Sequence, residues 1–356
     1  MADSLYAVGN YSEAIDQLEN TSSNSVAIHS RLAKAWEAKG NPAEAAKNYR
    51  IVLEKDPERV LTAVAYGKLL SNIGKHEAAD SIFADLSEKY PENASFYFQR
   101  GLIKEEQRDT TALHYFMKTI SYDMTHQQAL YKVSKDYLAH RKYEYAKILS
   151  KQGLEINPAN ASLLSILAQA YFRQEYFDEA IKEFEKLVEL GKGSEFVHTK
   201  LGYAYYQNKD YKKSIQHYNT ALEYEDQNAG THHTLGKIHA LTGDYDKSEQ
   251  HLLMAIILKD QIIDAEFLSL ALTYKLKEDY KKALEYFEKA LEENPMNERA
   301  LYERAIAADN YFEDLETRRN YYQAYVNKFE ELGSRNLLYL AKRRIRDLDE
   351  EIHMSR

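Results

Sequence analysis

The chain has 356 residues, no cysteine, 13 glycines, 5 prolines and a formal charge of −9. So few helix breakers exclude an all-β chain and leave little room for alternating strands and helices. Without cysteine there is no disulfide framework, thiolate metal site or thiol nucleophile, and the acidic balance opposes binding along a nucleic-acid backbone.

The chain opens at Met1-Ala2-Asp3-Ser4-Leu5-Tyr6, with a turn at Gly9-Asn10. A complete first helix of a helix-turn-helix unit needs about 14 residues. Residues 1–25 therefore read as a partial unit that keeps mainly its second helix, as if a segment before Met1 had been removed. No apolar run approaches the roughly 20 residues that cross a bilayer, so no membrane insertion is expected.

The phrase Gly9-Asn10-Tyr11-Ser12-Glu13-Ala14-Ile15 returns as Glu175-Tyr176-Phe177-Asp178-Glu179-Ala180-Ile181 and as Lys209-Asp210-Tyr211-Lys212-Lys213-Ser214-Ile215. It returns again from Gly243 and from Glu278, and these last four copies are 34 or 35 residues apart. Units on that frame start at 26, 60, 94, 127, 161, 195, 229, 264 and 298. The unit from Ala94 is one residue short, with the deletion assigned to its inter-helix turn, and the unit from Ala229 is one residue long. The array ends near residue 333 with a degenerate unit. Residues 334–356 carry one apolar stripe (Leu337, Leu340, Ala341, Ile345, Leu348) beside a basic face, the pattern of a helix that caps the last hydrophobic surface.

Two slots test the frame. The eighth position of each full unit reads Ala33, Gly67, Gly101, Ser134, Ala168, Gly202, Gly236, Ala271 and Ala305, small wherever a first helix must approach its second. The matching slot of the second helix reads Ala14, Ala45, Ala79, Ala112, Ala146, Ala180, Ser214, Ser248 and Ala283, and only Arg318 breaks it. Four residues on stands a large packing residue in every unit except at Ser150. Pro57, Pro91, Pro158 and Pro295 all fall just after a second helix, where proline stops it.

These residues resemble the tetratricopeptide repeat from about Leu5 to Phe329. The resemblance implies an all-α fold, a right-handed superhelical α-solenoid of about ten units and 20 to 21 helices with a C-terminal capping helix. It also implies a concave face lined by the second, fifth, sixth, ninth, twelfth and thirteenth positions of each first helix. At those positions stand Lys34, Lys68, Phe98, Tyr131, Lys135, Phe172, Phe196, Tyr203, Tyr206, Lys237 and Tyr302. Aromatics with a few cations on a rigid surface suit recognition of a protein or peptide segment. The lysine and asparagine pattern with which some family members clamp a C-terminal carboxylate is missing.

No catalytic constellation is present: there is no phosphate-cradling glycine loop, nucleophile elbow or His-Glu-x-x-His pair. His232, His233 and His239 cluster in sequence, but His232 shares a packing position with His29 and His198, so they read as packed imidazoles and no metal or cofactor is expected. The expected function is a non-enzymatic scaffold for protein interaction. The alternatives are a self-associating assembly subunit, or the accessory portion of a larger protein; RNA binding by a related helical repeat is opposed by the net charge. The phrase Ala-Asp-Ser-Leu-Tyr before a repeat resembles the mature start of exported bacterial repeat proteins, so a periplasmic or cell-envelope location is expected in preference to a cytoplasmic one.

Overall fold

The computed structural model describes residues 1–21, 25–259 and 263–355, with 21 helices and no strand among them. Packing divides the chain into two compact units, Met1–Gln174 and Glu175–Arg356. The first unit holds α1 (Ala2–Ala7), α2 (Tyr11–Glu19), α3 (Val26–Ala38), α4 (Pro42–Lys55), α5 (Val60–Asn72), α6 (His76–Lys89), α7 (Ala94–Glu106), α8 (Ala112–Tyr122), α9 (Gln127–Ala139), α10 (Tyr143–Ile156) and α11 (Ala161–Arg173). The second holds α12 (Phe177–Glu189), α13 (Glu195–Gln207), α14 (Tyr211–Tyr224), α15 (Ala229–Leu241), α16 (Tyr245–Ile257), α17 (Asp264–Leu276), α18 (Tyr280–Glu293), α19 (Glu298–Tyr311), α20 (Leu315–Phe329) and α21 (Arg335–Ser355).

Local chemistry sets each helix boundary. Side chains of Ser25, Asn41, Asn93 and Asn160 in the first unit, and of Ser194, Asp210, Asn228 and Asp244 in the second, accept amide protons of the first turn they precede. First helices end in a reverse turn closed by two backbone bonds, as where Gly40 N donates to Glu37 O at 3.0 Å and Asn41 N to Trp36 O at 2.9 Å. The pivot residue is left-handed, with φ of 81° at Gly40 and 63° at Lys209. A glycine adopts that conformation freely, whereas Lys209 pays for it.

Packing within a hairpin follows the two slots. A Cβ placed on Gly67 would meet the Phe83 ring at 2.7 Å, and one on Gly202 the Tyr218 ring at 2.8 Å. Apolar side chains from neighbouring hairpins close the core between them, for example Phe83 with Phe96 and Ile103, or Leu270 with Phe287 and Leu301. Each hairpin thus buries its stripe against its neighbours.

The departures from the repeat have local explanations. In the short hairpin the left-handed pivot, Arg108 (φ 56°), still stands in register, so the missing residue falls after it. The first turn of α8 is lost, and α8 runs only 11 residues from Ala112, preceded by Asp109, whose carboxylate accepts from Thr111 N at 2.9 Å and Oγ1 at 2.8 Å. α16 starts in regular register after α15, so the extra residue of that unit follows α16, in a stretch that includes residues 260–262, outside the described residues. Arg318, in a small-residue slot, directs its guanidinium to the Phe312 carbonyl and to Asp309. α21 lays Ala341, Ile345 and Leu348 on the core, and its cations meet acids: Lys342 on Glu330, and Arg344 on Asp309 and Glu351.

Candidate functional site

The residues assigned to a binding face divide between the two units. In the first unit Lys34 and Lys68 are exposed on α3 and α5, and neither meets a carboxylate among the described residues. Lys135 is exposed on α9, its ammonium 6.0 Å from the Tyr131 ring centre. Tyr131 is half-buried against Ala146, Ile166 and Ala170, which fixes the ring and leaves one edge to solvent. Phe172 is half-buried on α11. Phe98 departs from the expectation. It is only 5% exposed, with its ring 5.6 Å from Phe116 and 4.5 Å from His126. Phe98 fills the core of its hairpin and does not face a ligand.

In the second unit Phe196, Lys200 and Tyr203 follow at i, i+4 and i+7 along α13, so they share one face. Phe196 and Tyr203 are 39% and 40% exposed. Lys200 lies 5.4 Å from the Phe196 ring centre, and the Tyr203 ring meets Phe177 edge-on at 6.0 Å. Tyr206 differs: it packs beside Tyr211 and onto Tyr218, Leu235 and Ile238, so much of its surface serves the core. Lys237 is exposed on α15, at the repeat position that Tyr203 occupies on α13. Tyr302, on α19, packs on Tyr322 and Tyr325.

Beside Lys237 lies a buried polar cluster that the sequence pattern did not reveal. The Ser269 hydroxyl donates to the Ala265 carbonyl at 2.8 Å, so its oxygen accepts from His233 Nε2 at 2.8 Å. Glu266, 4% exposed, takes the Lys259 ammonium at 2.8 Å on Oε1, while its buried Oε2 has no hydrogen-bond partner among the described residues. Burial, with the charges of Lys237 and Lys259, holds His233 below the usual imidazole range against the pull of Glu266. His233 is thereby kept as a neutral, oriented donor, and the positive charge on this face comes from the lysines.

The clustered histidines are packed, but in pairs that sequence proximity hid. His198 Nδ1 lies 3.0 Å from His217 Nδ1, and His232 Nδ1 lies 2.9 Å from His251 Nδ1. His29 makes the same contact with Asn48 Oδ1 at 2.8 Å. Each pair joins a first helix to its second across 19 residues. His239 stacks on His251 with ring centres 5.5 Å apart, and His233 turns away to Ser269. Among the described residues no three His, Asp or Glu side chains converge as metal ligands. In the first unit Asp80 joins Arg100 at 2.8 Å and Lys104 at 3.0 Å. Burial alone would raise the Asp80 carboxyl, but the hydrogen bonds from those two cations outweigh it and leave it below the usual range.

Stacked antiparallel helix pairs with a small-against-large contact inside most of them define an α-solenoid of helix-turn-helix repeats. The tetratricopeptide repeat matches residues 1–60 and 265–297, and a TPR repeat family matches residues 202–243. The chain is a tetratricopeptide-repeat protein, a class whose members are typically non-enzymatic protein-interaction scaffolds. Residues 60–187 match the family described as ChAPs (Chs5p-Arf1p-binding proteins). Among solved structures the chain is similar to YrrB, a TPR protein with an unusual peptide-binding site, at 21% identity over 53% of this chain and 97% of that one, with a TM-score of 0.50. It is also similar to MamA, at 22% identity over 49% of this chain and 94% of that one, TM-score 0.46. A tetratricopeptide repeat protein from Parabacteroides merdae is 16% identical over 70% of this chain and 99% of that one, TM-score 0.46. No curated protein matches the chain.

Proposed function

We propose that this protein is a scaffold that holds a segment of a partner protein on the first-helix face of α13 and α15. The observation behind this reading is the run of Phe196, Lys200 and Tyr203 on one face of α13, with two large rings about two-fifths exposed, and Lys237 exposed at the equivalent repeat position of α15. Such rings lose little entropy on binding, and a few of them supply most of an interface's affinity, at about 2 kcal/mol or more each. The lysines, set in a chain of charge −9, favour a segment that mixes acidic and apolar side chains. Tyr131, Lys135 and Phe172, with Lys34 and Lys68, give the first unit a sparser face of the same chemistry. The likeness of residues 60–187 to a family named for binding Chs5p and Arf1p supports a protein partner. A role in cell-envelope assembly belongs to the same proposal, and osmotic-shock fractionation of the source cells tests it, with the protein expected in the shock fluid.

The test is affinity capture with the full chain, comparing the parent with Tyr203→Ala combined with Lys237→Glu. Both side chains are exposed, so the helical signal should not change. The reading requires loss of at least one partner that the parent retains. If every partner is held at parental strength, this face is not the site.

A further inference from the structure

On the opposite side of the first unit, α8, α9 and α10 enclose an apolar crevice of about 160 Å³. Its floor is Val133 and Leu149, continuous with the core around Phe116. Its rim is Met117, Tyr145 and Ile148, which are 46%, 59% and 58% exposed. Tyr137 closes one wall, its ring 5.4 Å from Tyr145. On α9 the crevice residues Val133 and Tyr137 stand roughly 200° around the helix from Tyr131 and Lys135. The crevice is therefore a different surface from the first-helix face.

The sequence departs from the repeat at this place. α8 has lost its first turn, and the hairpin of α9 and α10 sets Ser134 and Ser150 in the slots where other hairpins set Gly or Ala against a large side chain. The charge also reverses. From Ala112 to Ile156 the chain has seven basic and four acidic residues, a net charge of +3 within a protein of −9. Three of those acids are engaged locally: Asp123 caps Thr125, Asp136 faces His140 and Glu144 pairs with Lys147. The cations near the crevice are not so engaged. Lys142 lies over the Tyr137 ring at 5.7 Å, and neither it nor its neighbour Arg141 meets a carboxylate among the described residues, whereas Lys118 turns to α7, 4.4 Å from the Tyr97 ring centre.

We propose that this crevice docks a partner segment that presents one large apolar side chain, phenylalanine or leucine, flanked by acidic residues. The volume sets the anchor, since a cavity of about 150 Å³ takes one benzene ring. The uncompensated cations set the flanks, because a rim of one sign selects the other and speeds encounter. Three large apolar side chains grouped around a crevice are more than the scattered exposure common on monomers.

The test uses the full chain and fluorescein-labelled dodecapeptides read by anisotropy. One peptide has a central phenylalanine among glutamates, the second has alanine in its place, and the third has lysines for the glutamates. The first should bind saturably, with the other two at least tenfold weaker, and its affinity should fall as salt rises from 50 to 300 mM. Ile148→Glu and Lys142→Glu, both at exposed positions, should each weaken it tenfold or more, while Met254→Ala, at an exposed position of the second unit, should leave it unchanged. No saturable binding of the glutamate-phenylalanine peptide, or equal binding of the alanine peptide, overturns the proposal. So does loss with Tyr203→Ala in place of Ile148→Glu, which would assign the peptide to the first-helix face. Sedimentation showing a micromolar dimer that Ile148→Glu abolishes would overturn it in favour of a second copy of this chain.

Discussion

Replacing Gly202 with leucine probes a close approach of two helices inside one hairpin. A Cβ at this position would stand 2.8 to 2.9 Å from Cδ2, Cε2 and Cγ of Tyr218. Those atoms lie at the stem of a ring that is 3% exposed, so the ring cannot swing aside without moving α14. The Ser214 hydroxyl also donates to the Gly202 carbonyl at 2.7 Å, a bond lost if the helices part. Overpacking of this kind costs about 1 to 3 kcal/mol, partly offset by about 0.8 kcal/mol from replacing glycine within a helix. Alanine is the informative control, because Ala33 faces Tyr49 and Ala271 faces Phe287 in equivalent slots. Gly202→Ala should therefore be within about 1 kcal/mol of the parent, and Gly202→Leu at least about 1 kcal/mol worse. Long repeat arrays do not melt as one unit, so urea unfolding by circular dichroism should be paired with hydrogen exchange, which localises the loss to α13 and α14. Equal unfolding and equal exchange in α13 and α14 for parent and Gly202→Leu would refute the packing argument.

Further outcomes follow from other contacts. Burial and the neighbouring charges of His232, His239 and Lys247 depress His251 to about 4, and burial first among other causes also lowers His198, His217 and His239. Histidines depressed in the folded state stabilise fully above their unfolded value of about 6.5 and lose that stability as pH falls towards about 4, so urea midpoints should drop across that window. His251→Gln should flatten the drop, and a midpoint constant from pH 7 to 4 would contradict the pairing. Lys209 holds φ at 63°, so Lys209→Gly should raise stability by about 0.5 to 1 kcal/mol in the same melts. Ser150 Oγ is buried with no partner among the described residues, and Ser150→Ala should stabilise by about 1 kcal/mol. A loss of stability there would mean that the hydroxyl is satisfied.

The two packing slots were legible in the sequence because they encode volume at fixed spacing: Gly202 and Tyr218 announce their contact whatever surrounds them. Proline and the capping Asn and Asp residues marked helix boundaries for the same local reason. The face residues were less legible, since repeat position gives direction but not depth. Phe98 and Tyr131 share a repeat position, yet the first is sealed by Phe116 and His126 and the second keeps an edge in solvent. Tyr206 likewise resembles Tyr203 in sequence but packs on the following hairpin. The histidine pairs did leave a signal, polar residues 19 apart at the same two positions in three hairpins, which grouping by proximity obscured. Glu266 left none: it reads as an acid in the first turn of a helix, and only the fold buries it.

The central claim is that the α13 and α15 face receives a partner protein, and site-specific photo-crosslinking tests it most directly. A photoreactive phenylalanine analogue replaces Tyr203 in one full-length chain and Met254, 41% exposed on α16 of the same unit, in another. Both are irradiated in cell extract with and without Lys237→Glu. The account predicts a discrete adduct from position 203 that weakens with Lys237→Glu and with salt, and none from position 254. Adducts of equal yield from both positions, or a 203 adduct indifferent to Lys237→Glu and to salt, would contradict it.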